Sequence, residues 1–296
     1  MSRPDWIALD WGTTHLRGWG MTASGSVIEE RHSEDGMGRL GPDGFEPALR
    51  ALCGDWLEGG PVPVIACGMV GARQGWAEAA YARVPCAPLS TPFTRAPGDL
   101  EVAIIPGLSQ SEPADVMRGE ETQVAGFLAL NPGWDGVLCM PGSHSKWAHL
   151  SAGEVVSFRS FMTGELFSAL SNHSVLRHSV GGTDWDDAAF DDAVSETLSR
   201  PERLAAGLFG IRAAGLLHGQ GSGTARARLS GLLIGAELAA AKPYWLGQQI
   251  GVIGAGPLAR LYVRALAAQG APAAQANATA VTLAGLTAAW KLRSQT

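Results

Sequence analysis

The apolar positions of this chain fall into short runs, each stopped by glycine, proline or a small polar residue. Ile7-Ala8-Leu9 is a continuous apolar run ending in Asp10, Trp11-Gly12-Thr13-Thr14 reads as a turn, and His15–Met21 alternates back out. This spacing predicts strand, turn, strand. Residues 44–58 then place Phe45, Ala48, Leu49, Leu52 and Trp56 at helical spacing. Val62–Ala66 predicts a buried strand running into Cys67-Gly68-Met69-Val70-Gly71, and Ile104-Ile105 ends another at Pro106-Gly107. Up to about residue 110 the pattern is one α/β unit.

Beyond it the pattern starts over. Gly119-Glu120-Glu121-Thr122 opens a predicted helix to about Leu130, stopped by Asn131-Pro132-Gly133. Val137–Met140 is a second apolar strand, Pro141-Gly142-Ser143-His144 the turn, and Trp147–Leu150 the outgoing strand. Helical patterns cover 162–220, interrupted by the acidic stretch Asp184–Asp192. A helix over Leu229–Ala241, a strand over Gln249–Ile253, and helices over Leu258–Ala268 and Ala278–Lys291 complete the chain. Strand, glycine turn and outgoing strand thus occur twice, with Gly12 and Gly142 in equivalent places. The expected organisation is a duplicated α/β unit, divided as 1–112 and 113–296, with a small ligand gripped between the halves by the two bends.

Composition removes several classes of function. The 22 Lys+Arg against 28 Asp+Glu give a formal charge of −6, the wrong sign for gripping a phosphate backbone, so no nucleic-acid partner is expected. The apolar stretches are far shorter than the roughly 20 residues a bilayer requires. Asp5 and Asp10 bracket the first apolar run, which is not a signal-peptide layout. Cys53, Cys67, Cys86 and Cys139 stand singly, as reduced thiols in a cytoplasmic protein do. Apolar surface on Leu204–Leu217 would support a homodimer, and buried helix packing explains the same pattern equally well.

The two glycine turns carry the candidate chemistry. A glycine between strands lets backbone approach an oxyanion, and neighbouring Thr or Ser add donors. Asp10 offers a carboxylate to Mg²⁺, with Thr13 and Thr14 facing terminal phosphates. In the second turn Gly142, Ser143, His144 and Ser145 form a matching cradle, with Lys146 as a cation. Gly251–Ala259 fits G-x-G-x-x-G/A through Gly254, Gly256 and Ala259, with Pro257 at the first helical position. A dinucleotide fold needs a ribose-binding carboxylate about 20 residues later. No Asp or Glu follows Glu237, so the loop suits adenosine or an α-phosphate better. No P-loop, G-x-S-x-G or H-E-x-x-H pattern occurs. Glu120 and Glu121 start a helix, where carboxylates ordinarily complement the dipole; one of them is also placed to orient or deprotonate a hydroxyl acceptor.

Together Ile7–Arg17 (IALDWGTTHLR), Cys67–Trp76 (CGMVGARQGW), Val116–Gln123 (VMRGEETQ), Pro141–Trp147 (PGSHSKW), Met162–Phe167 (MTGELF), Ser230–Gly235 (SGLLIG) and Gly251–Ala259 resemble the 2-dehydro-3-deoxygalactonokinases of the sugar kinase/Hsp70/actin superfamily. The resemblance implies an α/β fold of two RNase H-like (actin-like ATPase) domains with a nucleotide cleft between them, binding ATP and Mg²⁺. It assigns Asp10–Thr14 to the first phosphate motif, Gly142–Lys146 to the second and Gly254–Pro257 to the adenosine motif. The implied reaction moves the γ-phosphate of ATP to the 6-hydroxyl of 2-dehydro-3-deoxy-D-galactonate. An epimeric 2-keto-3-deoxy acid, or a non-catalytic nucleotide- or sugar-sensing module, are the alternatives. Many superfamily kinases carry Asp as base where this chain has Glu120 and Glu121; Glu121 suits the superfamily spacing to Gly142 better. A sugar acid also calls for a cation at its carboxylate. Arg17, Arg73 and Arg118 lie inside motifs, Arg73 first because Gly71 and Gly75 flank it, and Trp76 would wall the pocket. Arg200, Arg203, Arg226 and Arg228 read as solvated surface charges.

Overall fold

In the computed structural model, which describes residues 3–254 and 256–294, the first apolar run becomes strand β1 (Trp6–Trp11) and the alternation after the turn becomes β2 (Leu16–Met21). The two pair antiparallel out to Trp11 opposite Leu16. β3 (Val27–Ser33) pairs antiparallel with β2, and after helix α1 (Phe45–Cys53) strand β4 (Val64–Gly68) lies parallel to β1. Ile7, Leu9 and Trp11 point into a core with Phe45 and Leu49, while Trp6 and Ala8 join Trp19 and Ile65 in another. Both faces of β1 are therefore covered, which is why its sequence is a continuous apolar run rather than an alternating one.

Five short strands follow: β5 (Tyr81–Arg83), β6 (Thr94–Arg95), β7 (Val102–Ile104), β8 (Gly107–Ser111) and β9 (Ala114–Met117). β7 lies parallel to β4 and β6 covers its edge, giving a six-stranded sheet in the order β3-β2-β1-β4-β7-β6. β5, β8 and β9 make a separate three-stranded sheet. Helix α2 (Glu120–Leu130) comes next.

The second sheet is built from β10 (Gly136–Met140), β11 (Ser145–Ser151) and β12 (Glu154–Phe161). Helices α3 (Thr163–His173), α4 (Asp187–Ser199), α5 (Leu204–His218), α6 (Ser222–Ala240) and α7 (Lys242–Trp245) precede β13 (Ile250–Ile253), α8 (Pro257–Ala267) and β14 (Ala273–Ala276). The order β12-β11-β10-β13-β14 repeats β3-β2-β1-β4-β7, and β13 is parallel to β10 as β4 is to β1. The duplication read from the sequence is thus present in the topology, with the 12–15 and 141–144 turns in the same place. Ser145 and Lys146 belong to β11 rather than to the turn. Asp187–Asp192 does not interrupt the helices: Asp186 caps α4 by accepting from the Ala189 N–H, and Phe190, Ala193, Val194 and Thr197 give it a buried stripe.

The last helix, α9 (Ala278–Arg293), does not stay with the elements that precede it. It packs on α2, β1 and β4, with Trp290 stacked on Trp6 at 5.1 Å between ring centroids. Gly126 of α2 and Gly285 of α9 let the helix backbones touch: a Cβ on Gly126 would overlap the Val281 carbonyl oxygen, and one on Gly285 that of Thr122. The chain accordingly divides into a first unit of 1–135, 150–157 and 276–296 and a second of 136–149 and 158–275. This corrects the boundary at 112/113, because α2 and α9 complete the first unit. All four cysteines are free, and no helix among the described residues is long and apolar enough to cross a membrane. On α5, Phe209, Leu216 and Leu217 are 67%, 67% and 76% exposed and form an open apolar face, while Ile211, Leu204 and Leu208 of the same stretch pack into the core, so both readings hold in part.

Candidate functional site

In the first unit the ends of β1 and β4 and the start of α2 meet. Register places Asp10 beside Cys67 and Trp11 beside Gly68. Gly68 has φ 93°, and a Cβ there would come within 2.6 Å of the Trp11 carbonyl oxygen, so only glycine lets the strand turn at this point. The space above it is taken by α2: a Cβ on Gly119 would stand 3.2 Å from the Gly68 Cα. The turn after β1 is tied through its carbonyls, Gly12 accepting from the Met37 N–H at 3.0 Å and Thr13 from the Gly38 N–H at 2.9 Å. Thr13 and Thr14 remain exposed.

Three carboxylates surround this point. Asp10 is paired with Arg17, whose other terminal nitrogen lies 3.4 Å from the Thr279 hydroxyl, and the Cys67 thiol sits 3.9 Å from the Asp10 carboxylate. Burial pushes the Cys67 thiol well up, and the charges of Asp10 and then Glu121 add to the effect. Glu121 is fully buried. Its carboxylate accepts from the Gly119 N–H at 2.6 Å and the Thr122 hydroxyl at 3.0 Å. Burial and, after it, the charge of Glu120 push its pKa up to about 8. Glu120 is partly exposed and accepts from the Arg118 N–H at 3.0 Å. Both carboxylates therefore satisfy free donors at the helix start, as dipole complementation requires, and Glu121 alone is withdrawn from water.

The three arginines of the motifs differ sharply. Arg118 is buried: it donates to the Ala79 carbonyl at 2.7 Å, stacks on Tyr81 at 4.3 Å, and its Nε and Nη1 find no partner among the described residues. Gly71 makes room for it, since a Cβ there would stand 2.8 Å from the guanidinium. Arg73 is the opposite, its side chain 80% exposed and 3.5 Å from Glu78. Trp76 stands against Trp11 and Phe45, with centroids 6.0 and 6.2 Å away, as part of the core rim.

In the second unit the 141–144 turn lies at one end of a cavity of about 850 Å³. Gly142, Ser143, Thr163 and Gly164 line that end, Phe167, Trp185, Leu258 and Leu261 give an apolar wall, and Pro257, Arg226 and Arg260 also border it. Gly164 is pressed on the turn: a Cβ would overlap the Gly142 carbonyl oxygen, and the Glu165 N–H donates to Ser143 at 2.9 Å. His144 turns aside to Glu165, 2.5 Å away, both half exposed. Ser145 bonds the Tyr262 hydroxyl at 2.9 Å, and Lys146 is buried on β11. Gly256 caps α8 and the Gly254 carbonyl accepts from Gln275 at 2.6 Å, while Ala255 lies outside the described residues.

Arg226 is not the solvated charge the sequence suggested: it is half buried over Phe167 at 5.0 Å, and Arg228 is half buried and paired with Glu196 at 2.9 Å. Trp185 was hidden in the acidic stretch, and Arg226 looked like one of many surface cations. Thr163, Gly164 and Phe167 were visible only as part of the MTGELF run.

The family model for 2-keto-3-deoxy-galactonokinase matches residues 10–289, nearly the whole chain. The chain belongs to this family. It is therefore a kinase with an alcohol group as acceptor. It is 42% identical over 294 residues to a provisionally named 2-dehydro-3-deoxygalactonokinase of Rhizobium meliloti, covering 96% of each chain. It is 37% identical over 269 residues to the 2-dehydro-3-deoxygalactonokinase of Escherichia coli, covering 90% of each. A crystal structure of a provisionally named 2-dehydro-3-deoxygalactonokinase from Sinorhizobium meliloti superposes with a TM-score of 0.92 at 40% identity, over 97% of this chain and 99% of that one. At 12% identity and a TM-score of 0.52, the ADPNP-bound activator of a 2-hydroxyisocaproyl-CoA dehydratase from Clostridium difficile shares the fold over 98% of this chain and 96% of its own. The fold is the two-domain actin-like ATPase architecture of this kinase.

Proposed function

We propose that this kinase transfers the γ-phosphate of ATP to the 6-hydroxyl of 2-dehydro-3-deoxy-D-galactonate, giving the 6-phosphate and ADP in sugar-acid catabolism. The relatives' names support the substrate. The observation that carries the chemistry is the meeting of Asp10 beside Cys67, at the ends of β1 and β4, with the start of α2, which packs on Gly68 and carries the buried Glu121. Phosphoryl transfer asks mainly for positioning and charge neutralisation. Glu121 would take the acceptor hydroxyl's proton, and its raised pKa suits a base working near neutrality. Glu120, tied to the Arg118 N–H, would tune that pKa by its charge.

Among the described residues no group of three or more His, Cys, Asp or Glu is arranged to hold a metal ion. Mg²⁺ with a nucleotide needs no such group, since phosphates and water fill most of its coordination and one carboxylate suffices. Asp10 fits that part, exchanging Arg17 for the ion. Bound there, Mg²⁺ would offset the phosphate charge. The turn residues Gly12, Thr13 and Thr14 would face the terminal phosphates, as would Gly142 and Ser143 from their own unit. Gly254, Gly256 and Pro257 would border the adenosine beside the apolar wall of Phe167 and Trp185. Ser145, bonded to Tyr262, and His144, paired with Glu165, would steady the second turn, and Lys146 is buried on β11.

Gly164→Ala tests the nucleotide site. The added methyl must displace the Gly142–Ser143 turn, because backbone and not a flexible side chain stands in its way. The expected result is a KM for ATP raised about tenfold, with the KM for the sugar acid unchanged; equal KM values in wild type and variant would reject it.

For the substrate carboxylate, the exposed Arg73 is the proposed ligand and the buried Arg118 the support of the loop that carries it. Arg17 is paired with Asp10. Arg73→Ala is expected to raise the sugar-acid KM about tenfold or more while leaving that for ATP unchanged, the loss of one charge-assisted pair. A sugar-acid KM that does not move removes Arg73 from the site. ADP release measured over a panel of 2-keto-3-deoxy sugar acids decides the epimer.

A further inference from the structure

The nucleotide cavity has a buried anchor behind it that no motif announced. Glu237, on α6, is 3% exposed. One carboxylate oxygen accepts from the Trp147 indole N–H at 2.8 Å; the other accepts from the Tyr262 hydroxyl at 2.7 Å and from the Thr163 hydroxyl. The Tyr262 oxygen in turn lies 2.9 Å from the Ser145 hydroxyl. A single carboxylate thus joins four elements: β11, which begins where the 141–144 turn ends; α3, whose first residues press on that turn; α8, which opens at Pro257; and α6 itself.

Burying a carboxylate is costly, and an apolar side chain of the same volume would fill the space without that cost. Burial does push the Glu237 carboxyl up, while its hydroxyl and indole donors pull it down. What an apolar residue cannot supply is direction. Thr163 is itself part of the lining beside Gly142 and Ser143, β11 runs on from the turn those two belong to, and α8 lines the cavity through Pro257, Leu258 and Leu261. The carboxylate fixes the spacing of the β11 start, the α3 start and α8, which is the spacing a phosphate chain would have to fit.

We propose that Glu237 is a positioning residue for the phosphate tail of the nucleotide, acting through Thr163, Ser145 and Tyr262 and not by contact with ligand. The proposal rests on the reading that the 141–144 turn receives the phosphates.

The test is calorimetric titration of the full-length wild type, Glu237→Leu and Glu237→Gln with Mg²⁺-ADP and, separately, with adenosine. Steady-state KM values for ATP and sugar acid are measured alongside. Leucine removes every acceptor, so ADP affinity and the KM for ATP worsen about tenfold or more; adenosine affinity and the sugar-acid KM stay within about twofold. Glutamine keeps the shape and one accepting oxygen for Trp147, so its loss is about threefold. It also carries the test if the leucine variant fails to fold. ADP affinity unchanged in folded Glu237→Gln, or adenosine affinity falling as far as that for ADP, overturns the proposal, since the residue then only supports the fold. A wild type that binds ADP no more tightly than adenosine shows that the phosphate-site reading itself has failed, and the proposal with it.

Discussion

Glu121→Gln is expected to lower kcat about 10²- to 10³-fold while leaving both KM values within about threefold. The amide keeps the size of the side chain and still accepts from the Gly119 N–H, but it cannot take a proton. In the wild type a pKa raised to about 8 means that most molecules hold the base protonated at pH 7. The rate should therefore climb with pH and level off above about 8, and this limb should vanish in the variant. Because the charge of Glu120 helps to raise that pKa, Glu120→Gln should move the limb to lower pH with little loss of plateau rate. The same shift has a sign for stability. Between the ordinary value of 4.5 and about 8 the folded chain keeps a proton that the unfolded chain has lost. Raising pH through that window must then favour unfolding, by at most about 1.4 kcal/mol per pH unit. Melting curves from pH 5 to pH 8 should show a slope that Glu121→Gln flattens. A variant with near wild-type kcat and an unchanged pH profile would leave Glu121 only its place at the helix start.

The second large effect belongs to Asp10. Asp10→Asn is expected to abolish measurable turnover, a loss on the order of 10³-fold, with the folded state intact. The side chain is only 20% exposed and paired with Arg17, yet asparagine keeps its shape and an oxygen for that guanidinium. What disappears is the charge that would draw the metal to the phosphates. Circular dichroism checks the fold, and a Mg²⁺ titration of activity checks the cause. If activity falls because metal binding weakens, part of it should return at high Mg²⁺. Full activity at ordinary Mg²⁺ would refute the role.

The fold was legible where burial and period agree. The continuous run Ile7–Leu9 gave β1, and the glycine bend after it gave the turn. The second copy of the same pattern gave β10 and β11. β3 was missed because Val27–Ser33 is mostly polar: its half-buried face is Glu29, Arg31 and Ser33, so no apolar alternation marks it. β14 consists of Ala and Gln, which signal no strand. In Asp187–Asp192 the charges hid the stripe of Phe190, Ala193 and Val194 that makes α4 a helix. At the site, the residues on local motifs (Asp10, Glu121, Gly142) were readable because each sits at the end of a strand or the start of a helix. Trp185 lies just before α4 and Arg226 on α6, and only folding brings them to one cavity, with Glu237 of α6 buried behind its Thr163 lining.

The close fit of Gly126 against Gly285 also orders events during synthesis. The helix that carries Glu120 and Glu121 has as its neighbour a segment translated some 150 residues later, after the residues of the second unit. In a growing chain the first unit waits with one side of α2 bare until residues 278–293 emerge to cover it. The helix start that holds Glu120 and Glu121 is therefore among the last parts of the first unit to be secured.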